Sequence, residues 1–94
     1  MQKSPSRKLN NLWMARKQAG LAQKAVARLL GHRTTSTVSE YEKGKLIPSL
    51  RTAFKLAHIY NVPLPDLYEA LHEEVTNEIE ANRTKLPVHS SFSN

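Results

Sequence analysis

The chain has 94 residues, 39% of them hydrophobic, with a formal net charge of +6 and no cysteine. This length suits one modest core, and the absence of cysteine excludes disulfides, thiolate metal sites and cysteine nucleophiles. No apolar run approaches the roughly 18 residues that span a bilayer, and residues 1–10 are too polar for a signal-peptide core. We therefore expect one domain in the reducing cytoplasm, stabilised by packing.

The positive charge is concentrated in the first half of the chain. Residues 1–33 contain eight Lys or Arg and no acid, whereas residues 61–83 contain six acids and a single Arg. A basic segment ahead of an acidic one fits a protein with one face towards a polyphosphate partner. A merely solvated basic surface fits the charge equally well, so charge alone leaves both interpretations open.

Glycines divide the first half of the chain into three short segments with helical periodicity. The first, about 8–19, has apolar residues three and four positions apart and ends at Gly20. The second, about 23–30, ends at Gly31, and the third, about 36–42, ends at Gly44. The third follows a run of Thr and Ser, any of which could cap a helix.

A fourth helix is predicted over about 49–60, with Ser49 as its N-cap because it directly follows Pro48. Its predicted inner face consists of five apolar residues: Leu50, Ala53, Phe54, Leu56 and Ala57.

A fifth helix is predicted from near Pro65 to about Asn82. Apolar residues at four-residue spacing support this extension, and Pro87 forbids a longer one: Leu67, Leu71, Val75 and Ile79. Residues 1–7 are predicted to be a flexible basic arm and residues 84–94 a tail, leaving 8–83 as the domain.

The second and third segments can form a close helix pair. Ala27 faces the turn between them, Gly31 can adopt the left-handed conformation that ends the second helix, and Val38 supplies an apolar plug. In such a pair the second helix protrudes from the protein surface. The side chains at its N-terminus can then enter a DNA major groove.

Over about residues 12–68 the sequence resembles the phage-repressor and Cro type (XRE-like) helix-turn-helix regulators. The matching residues, in order, are Arg16, Gly20-Leu21, Gln23, Ala27, Leu30-Gly31, Val38-Ser39, Tyr41-Glu42, Gly44, Pro48-Ser49-Leu50, Leu56-Ala57, Val62 and Leu67. The resemblance implies an all-α, compact five-helix lambda-repressor-like domain. It also implies a sequence-specific DNA-binding transcriptional regulator, expected to be a repressor that binds a palindromic operator as a homodimer.

Two features depart from the family pattern. Ala22 occupies the position where the family usually has a capping Ser or Thr, which should cost about 1 kcal/mol unless Gln23 or water compensates. The turn between Gly31 and Val38 is one residue longer than usual, so the start of the recognition helix can shift by one position.

The resemblance also implies roles for individual residues. Four occupy positions that reach base edges: Thr35, Ser36, Ser39 and Glu40. Six are placed for phosphates: Gln23, Lys24, Thr34, Thr37, Lys43 and Lys45. Arg16 and Glu42 resemble a structural ion pair. Glu40 either accepts from a cytosine amino group or is a solvated helix residue, and Gln23 has the alternative of an ordinary exposed residue.

Two other functions compete with this one. An antitoxin or adaptor could bind a protein partner through residues 67–83, with DNA binding secondary. A small enzyme is disfavoured, because the sequence offers no nucleophile, metal cluster or glycine-rich phosphate loop beside the charged pair. We expect no cofactor, no metal and no membrane partner, and a cytoplasmic, nucleoid-associated protein of bacterial or phage type.

Overall fold

The computed structural model describes residues 10–87, which contain helices and no strand. Six helices follow one another in that range: α1 (Leu12–Gln18), α2 (Gln23–Leu29), α3 (Ser36–Glu42), α4 (Leu50–Tyr60), α5 (Leu64–Leu67) and α6 (Glu69–Arg83). The all-α fold class is confirmed. The predicted arm and most of the predicted tail lie outside the described residues. No helix among residues 10–87 is long and apolar enough to cross a membrane.

The first five helices share one apolar core. Ten buried residues form it: Leu12, Ala15, Val26, Ala27, Leu30, Val38, Tyr41, Leu56, Tyr60 and Leu67. The predicted close packing of α2 and α3 is present, since Ala27 and Val38 are almost fully buried. Gly31 has a φ of +85°, the left-handed conformation predicted for the end of α2. This packing leaves the outer side of α3 free to contact a partner.

Two asparagines that the sequence interpretation overlooked fasten the start of α1. The Nδ2 of Asn10 donates to the carbonyl of Tyr41 at 3.0 Å, and its Oδ1 accepts from the backbone N–H of Leu12 at 3.0 Å. The Nδ2 of Asn11 donates to the carbonyl of Asp66 at 2.7 Å. These bonds tie α1 to the end of α3 and to α5, which fixes α3 relative to the rest of the domain.

The prediction for α4 was right about its cap and partly wrong about its inner face. Ser49 accepts from the backbone N–H of Thr52 at 3.2 Å, as an N-cap does. Leu50 and Phe54, however, are 68% and 57% exposed. Ala53 and Leu56 are buried and Ala57 is half-buried against the core, as predicted. The third buried residue of the helix, Tyr60, was not predicted.

The predicted fifth helix is interrupted and therefore forms two helices. Tyr68 has φ −129° and ψ 53°, outside the helical region, and separates α5 from α6. Leu67, the last residue of α5, is fully buried, whereas α6 contains no buried residue. Leu67 thus ends α5 inside the core, and the following 15 residues form a separate helix without a buried residue.

The hydroxyl of Tyr68 is buried and lacks a hydrogen-bond partner among the described residues. Burial, followed by the neighbouring Tyr41, raises the pKa of Tyr68 to about 12. Removing an unsatisfied buried hydroxyl removes its desolvation cost, so Tyr68→Phe should raise the free energy of unfolding at pH 7 by about 1 kcal/mol. Urea denaturation followed by circular dichroism measures this change.

The same substitution has a second expected effect at alkaline pH. A tyrosine pKa that is higher in the folded chain gives stability that is complete below pH 10 and is lost as pH rises towards 12. Tyr68→Phe cannot lose that contribution, so its advantage over the wild type should widen across this range. A variant less stable than the wild type at pH 7 would show that the hydroxyl has a stabilising partner.

Candidate nucleic-acid interface

Helix α3 has a buried face and an outward face. Val38, Tyr41 and Glu42 are buried, at the spacing of one helical side. Ser36, Glu40 and Lys43 are exposed at positions i, i+4 and i+7, the opposite side. The outward face therefore presents a hydroxyl, a carboxylate and an ammonium group in a row, and neither of the two ion pairs found among residues 10–87 involves Glu40.

The other hydroxyl residues assigned to contacts lie at the flanks of α3. Thr35, Thr37 and Ser39 are half-buried. Helix α3 begins at Ser36, as the periodicity predicted despite the longer turn. The side chain of Thr34 orders this start, because its Oγ1 accepts from the backbone N–H of Ser36 at 3.4 Å and donates to the Ser36 hydroxyl at 3.3 Å. Thr34 thus takes the capping role that the N-cap residue, Thr35, leaves open.

A buried ion pair fixes the end of α3 to α1. The Nε of Arg16 lies 2.6 Å from Oε2 of Glu42, and its Nη2 lies 3.3 Å from Oε1. The Nη1 of Arg16 donates to the carbonyl of Leu21 at 3.0 Å. Only 10% of the Arg16 side chain and 6% of the Glu42 side chain are exposed. Two fork-like hydrogen bonds in a buried setting make this pair a rigid link between the helices.

Gln23 extends the same network. Its Nε2 donates to Oε1 of Glu42 at 3.0 Å, so α2 is joined to the pair as well. Gln23 or water was expected to compensate for the missing cap at Ala22, and of these two Gln23 does not, because α2 has no side-chain capping bond. The amide is used across the helices instead. Its carbonyl oxygen cannot donate to a phosphate, so a phosphate contact by Gln23 would have to share the amide group that Glu42 engages.

Tyr60 lies within the electrostatic reach of this network. Burial raises the pKa of its phenol above the ordinary value, the negative charge of Glu42 raises it further, and Arg16 opposes the rise. The phenol is consequently neutral across the physiological range. The network thus contains one positive charge, on Arg16, and one negative charge, on Glu42, beside the neutral phenol of Tyr60. Its role is to position α3.

Exposed cations lie at the start of α2 and close to both ends of α3 in the chain. Lys24, Lys43 and Lys45 are all exposed, as phosphate contacts must be. Arg33, in the turn just before α3, is exposed too and was not assigned a role from the sequence. The sequence did contain a feature that could have identified Arg33, because Arg33 is the one residue with a formal charge in the longer turn before α3. No Asp or Glu occurs between residues 10 and 39, so the segment that forms α1, α2 and the turn before α3 carries only positive formal charges.

Within residues 10–87, the histidines and the tryptophan do not form a catalytic or metal-binding site. His58 and His72 are exposed, and His32 is half-buried with its Nδ1 lacking a hydrogen-bond partner within residues 10–87. His89 lies outside the described residues. Trp13 is half-buried, with the Nζ of Lys17 5.6 Å from its ring centre. In the described part of the chain, no group of three His, Asp or Glu could hold a metal ion.

Helices α2 and α3 are short and pack through small residues, and α3 has a polar outward face with cations close to it in the chain. This arrangement defines a helix-turn-helix DNA-binding protein. A helix-turn-helix family model matches residues 14–67. A relative from Archaeoglobus fulgidus, described as an uncharacterized HTH-type transcriptional regulator, is 38% identical over 60 residues, which cover 64% of this chain and 84% of the relative. No solved structure matches the chain significantly. The chain belongs to the phage-repressor and Cro type of helix-turn-helix transcriptional regulators.

Proposed function

We propose that this regulator is a repressor that binds a palindromic operator in double-stranded DNA as a homodimer. Each copy would insert α3 into the major groove of one half-site. The observation that carries the proposal is the outward row of Ser36, Glu40 and Lys43, held in place by the buried pair behind it. A small protein seated on a promoter represses by excluding larger proteins from the same duplex. Its place of action is the cytoplasm, on the nucleoid.

The proposal divides the candidate residues by what they contact. Base edges would be read by Thr35, Ser36, Ser39 and Glu40, and of these Ser36 and Glu40 are the more exposed. A hydroxyl can pair with several bases, so it contributes register more than discrimination. A carboxylate accepts well from the cytosine amino group and repels phosphate, so Glu40 would discriminate most.

Phosphates would be contacted by a second group of residues. It comprises Gln23, Lys24, Thr34, Thr37, Lys43 and Lys45, to which the exposed Arg33 is added. Lysine and arginine contacts to phosphate position the protein on the duplex without selecting a sequence. The two groups should therefore respond differently to substitution.

Selection of binding sites from random duplex DNA tests this assignment. The wild type should enrich two inverted half-sites whose centres lie about 10 base pairs, or a multiple of that, apart. Glu40→Ala should lose a cytosine preference at one position of each half-site, worth about 1–3 kcal/mol, and keep the remaining consensus. Glu74→Ala, the same change on exposed α6, is the matched control and should return the wild-type consensus. An unchanged consensus with Glu40→Ala would make that carboxylate a spectator.

A further inference from the structure

An open cavity lies between the start of the described chain and the first half of α6. Its volume is about 520 Å³, and seven residues line it: Asn10, Asn11, Glu69, Ala70, His72, Glu73 and Thr76. Glu69, Glu73 and Thr76 recur at intervals of four and three residues, so they share one side of the helix. All three are exposed. The cavity is therefore bounded by a part of α6 that no residue within 10–87 covers.

Hydrogen bonds hold the start of the described chain at this cavity. The backbone N–H of Asn11 donates to the carbonyl of Leu67 at 2.7 Å, only two residues before α6 begins at Glu69. Asn10 is 5% exposed and lines the cavity as well. Residues 1–9 lie outside the described residues, and we refer to them as the basic segment. Their point of attachment to the domain is thus fixed at the rim of the cavity.

The basic segment and α6 carry opposite charges at this place. The basic segment contains three cations and no acid: Lys3, Arg7 and Lys8. The side of α6 towards the cavity presents the carboxylates of Glu69 and Glu73, and we call it the acidic side of α6. Neither carboxylate belongs to the two ion pairs found among residues 10–87. Because the basic segment is tethered beside these carboxylates, its effective concentration there is high.

The basic segment is long enough to reach the acidic side of α6. Lys8 and Arg7 precede Asn10 by two and three residues, at most about 10 Å of backbone, so their long side chains can enter the cavity. Lys3 precedes Asn10 by seven residues, which span at most about 25 Å. From its start to Glu80, three turns further on the same side, α6 extends about 16 Å. The whole basic segment can therefore lie along this helix.

We propose that the basic segment docks on the acidic side of α6 in the DNA-free protein. Its two adjacent cations, Arg7 and Lys8, then lie beside the carboxylates that line the cavity. Exposed ion pairs of this kind are individually weak and are screened by salt, so the docked segment can be displaced. The phosphates of DNA compete with α6 for the same three cations. The docking therefore withholds these cations from duplexes that the protein binds only weakly.

Paramagnetic relaxation enhancement of the full chain tests the docking. The chain contains no cysteine, so Ser4→Cys provides a single attachment point for a nitroxide label. At low salt the label should broaden the amide signals of Thr76 and Asn77 on α6. Raising the salt to about 1 M, where the Debye length is about 3 Å, should restore these signals. Signals that are sharp at low salt would overturn the inference.

Two pairs of substitutions show whether the acidic side is responsible. Glu69→Gln with Glu73→Gln, the acidic-side variant, should restore the broadened signals at low salt. Glu74→Gln with Glu78→Gln, the control variant, removes the same charge from another side of α6 and should leave the signals broadened. Broadening that survives in the acidic-side variant, or that disappears in the control variant, would contradict the docking.

A charge exchange tests the pairing itself. Arg7→Glu with Lys8→Glu should abolish the broadening, because acids then face acids across the cavity. Adding Glu69→Lys and Glu73→Lys should bring it back, since the opposite charges are restored with their positions exchanged. A failure of this second pair to restore the broadening would show that these residues do not meet.

DNA binding tests the competition and separates it from the proposed function. The acidic-side variant should bind a scrambled duplex about 10-fold more tightly than the control variant, because only the former frees the basic segment for phosphates. With Lys3, Arg7 and Lys8 all replaced by glutamine, the two variants should bind equally. Equal binding with the three cations in place would overturn the competition. A wild type that binds no duplex would contradict the proposed function, whereas the broadening of the α6 signals would remain.

Discussion

Replacing Glu42 by alanine is expected to destabilise the domain more than any other single change in the part of the chain described. The carboxylate accepts two hydrogen bonds from Arg16 and one from Gln23. Its removal leaves the Arg16 guanidinium buried with only the Leu21 carbonyl as partner. Breaking a buried pair in this way costs about 3–5 kcal/mol, a large part of the stability of a small domain. The melting temperature should fall by roughly 15 °C or more.

Two further variants isolate the cause. Glu40→Ala removes the same side chain from the exposed side of the same helix and should change the free energy of unfolding by less than about 0.5 kcal/mol. Replacing Arg16 and Glu42 together by methionine removes both buried charges and should recover much of the loss. Thermal unfolding followed by circular dichroism measures all three proteins. An unchanged melting temperature for Glu42→Ala would refute the structural role of the pair.

The affinity for DNA is expected to fall about 10⁴-fold between 50 and 200 mM salt. Four cationic side chains per copy, Lys24, Arg33, Lys43 and Lys45, are proposed to contact phosphates, which gives about eight neutralised phosphates per dimer. Each neutralised phosphate contributes about −0.9 to the slope of log K against log salt, so the slope should be about −7. Fluorescence anisotropy with a labelled operator, repeated at several salt concentrations, gives this slope.

A pair of matched lysine variants locates the contacts. Lys43→Gln removes one proposed phosphate contact from each copy, so the slope should become shallower by about 2 and affinity should fall equally for all sequences. Lys55→Gln removes the same charge from the exposed side of α4, a helix to which no DNA contact is assigned. It should preserve the slope. Equal effects of the two variants would mean that the basic surface acts only through its total charge.

The sequence predicted the DNA-binding half of the fold well because local chemistry determines it. Glycines at 20, 31 and 44 all adopt positive φ, where other residues are strained, so the ends of the first three helices could be inferred from composition. The boundaries of α3 agree with the prediction for the same reason. Ala27 likewise could be placed from the sequence, because a small residue is needed where α2 and α3 pack closely, and Ala27 is buried there.

The errors arose where tertiary packing decides between two options of similar periodicity. On α4 the prediction was right for Ala53 and Leu56, but Leu50 and Phe54, also expected inside, are exposed, and the buried Tyr60 was not predicted. The spacing of apolar residues fits either side of that helix, and only the shape of the neighbouring helices selects one. The break at Tyr68 is of the same kind. No glycine or proline marks it, and it exists because Leu67 is held in the core.

The sequence predicted which residues form the candidate site better than it predicted the hydrogen bonds between them. The family resemblance implied that Arg16 and Glu42 meet, and they do, at 2.6 Å. It did not indicate that Gln23 would join them, or that Asn10 would clamp α1 to the end of α3. These are long-range hydrogen bonds between residues with no shared periodicity, and they become visible only when the helices are in place.

The ratio of two affinities tests the central claim most directly, namely that α3 reads a specific DNA sequence. Dissociation constants would be measured at one physiological salt concentration for the operator obtained by selection and for a scrambled duplex of the same length. Specific recognition predicts a ratio of at least about 10³ in favour of the operator. A ratio near one would contradict the claim even if binding were tight and steeply salt-dependent, because phosphate contacts alone would then account for it.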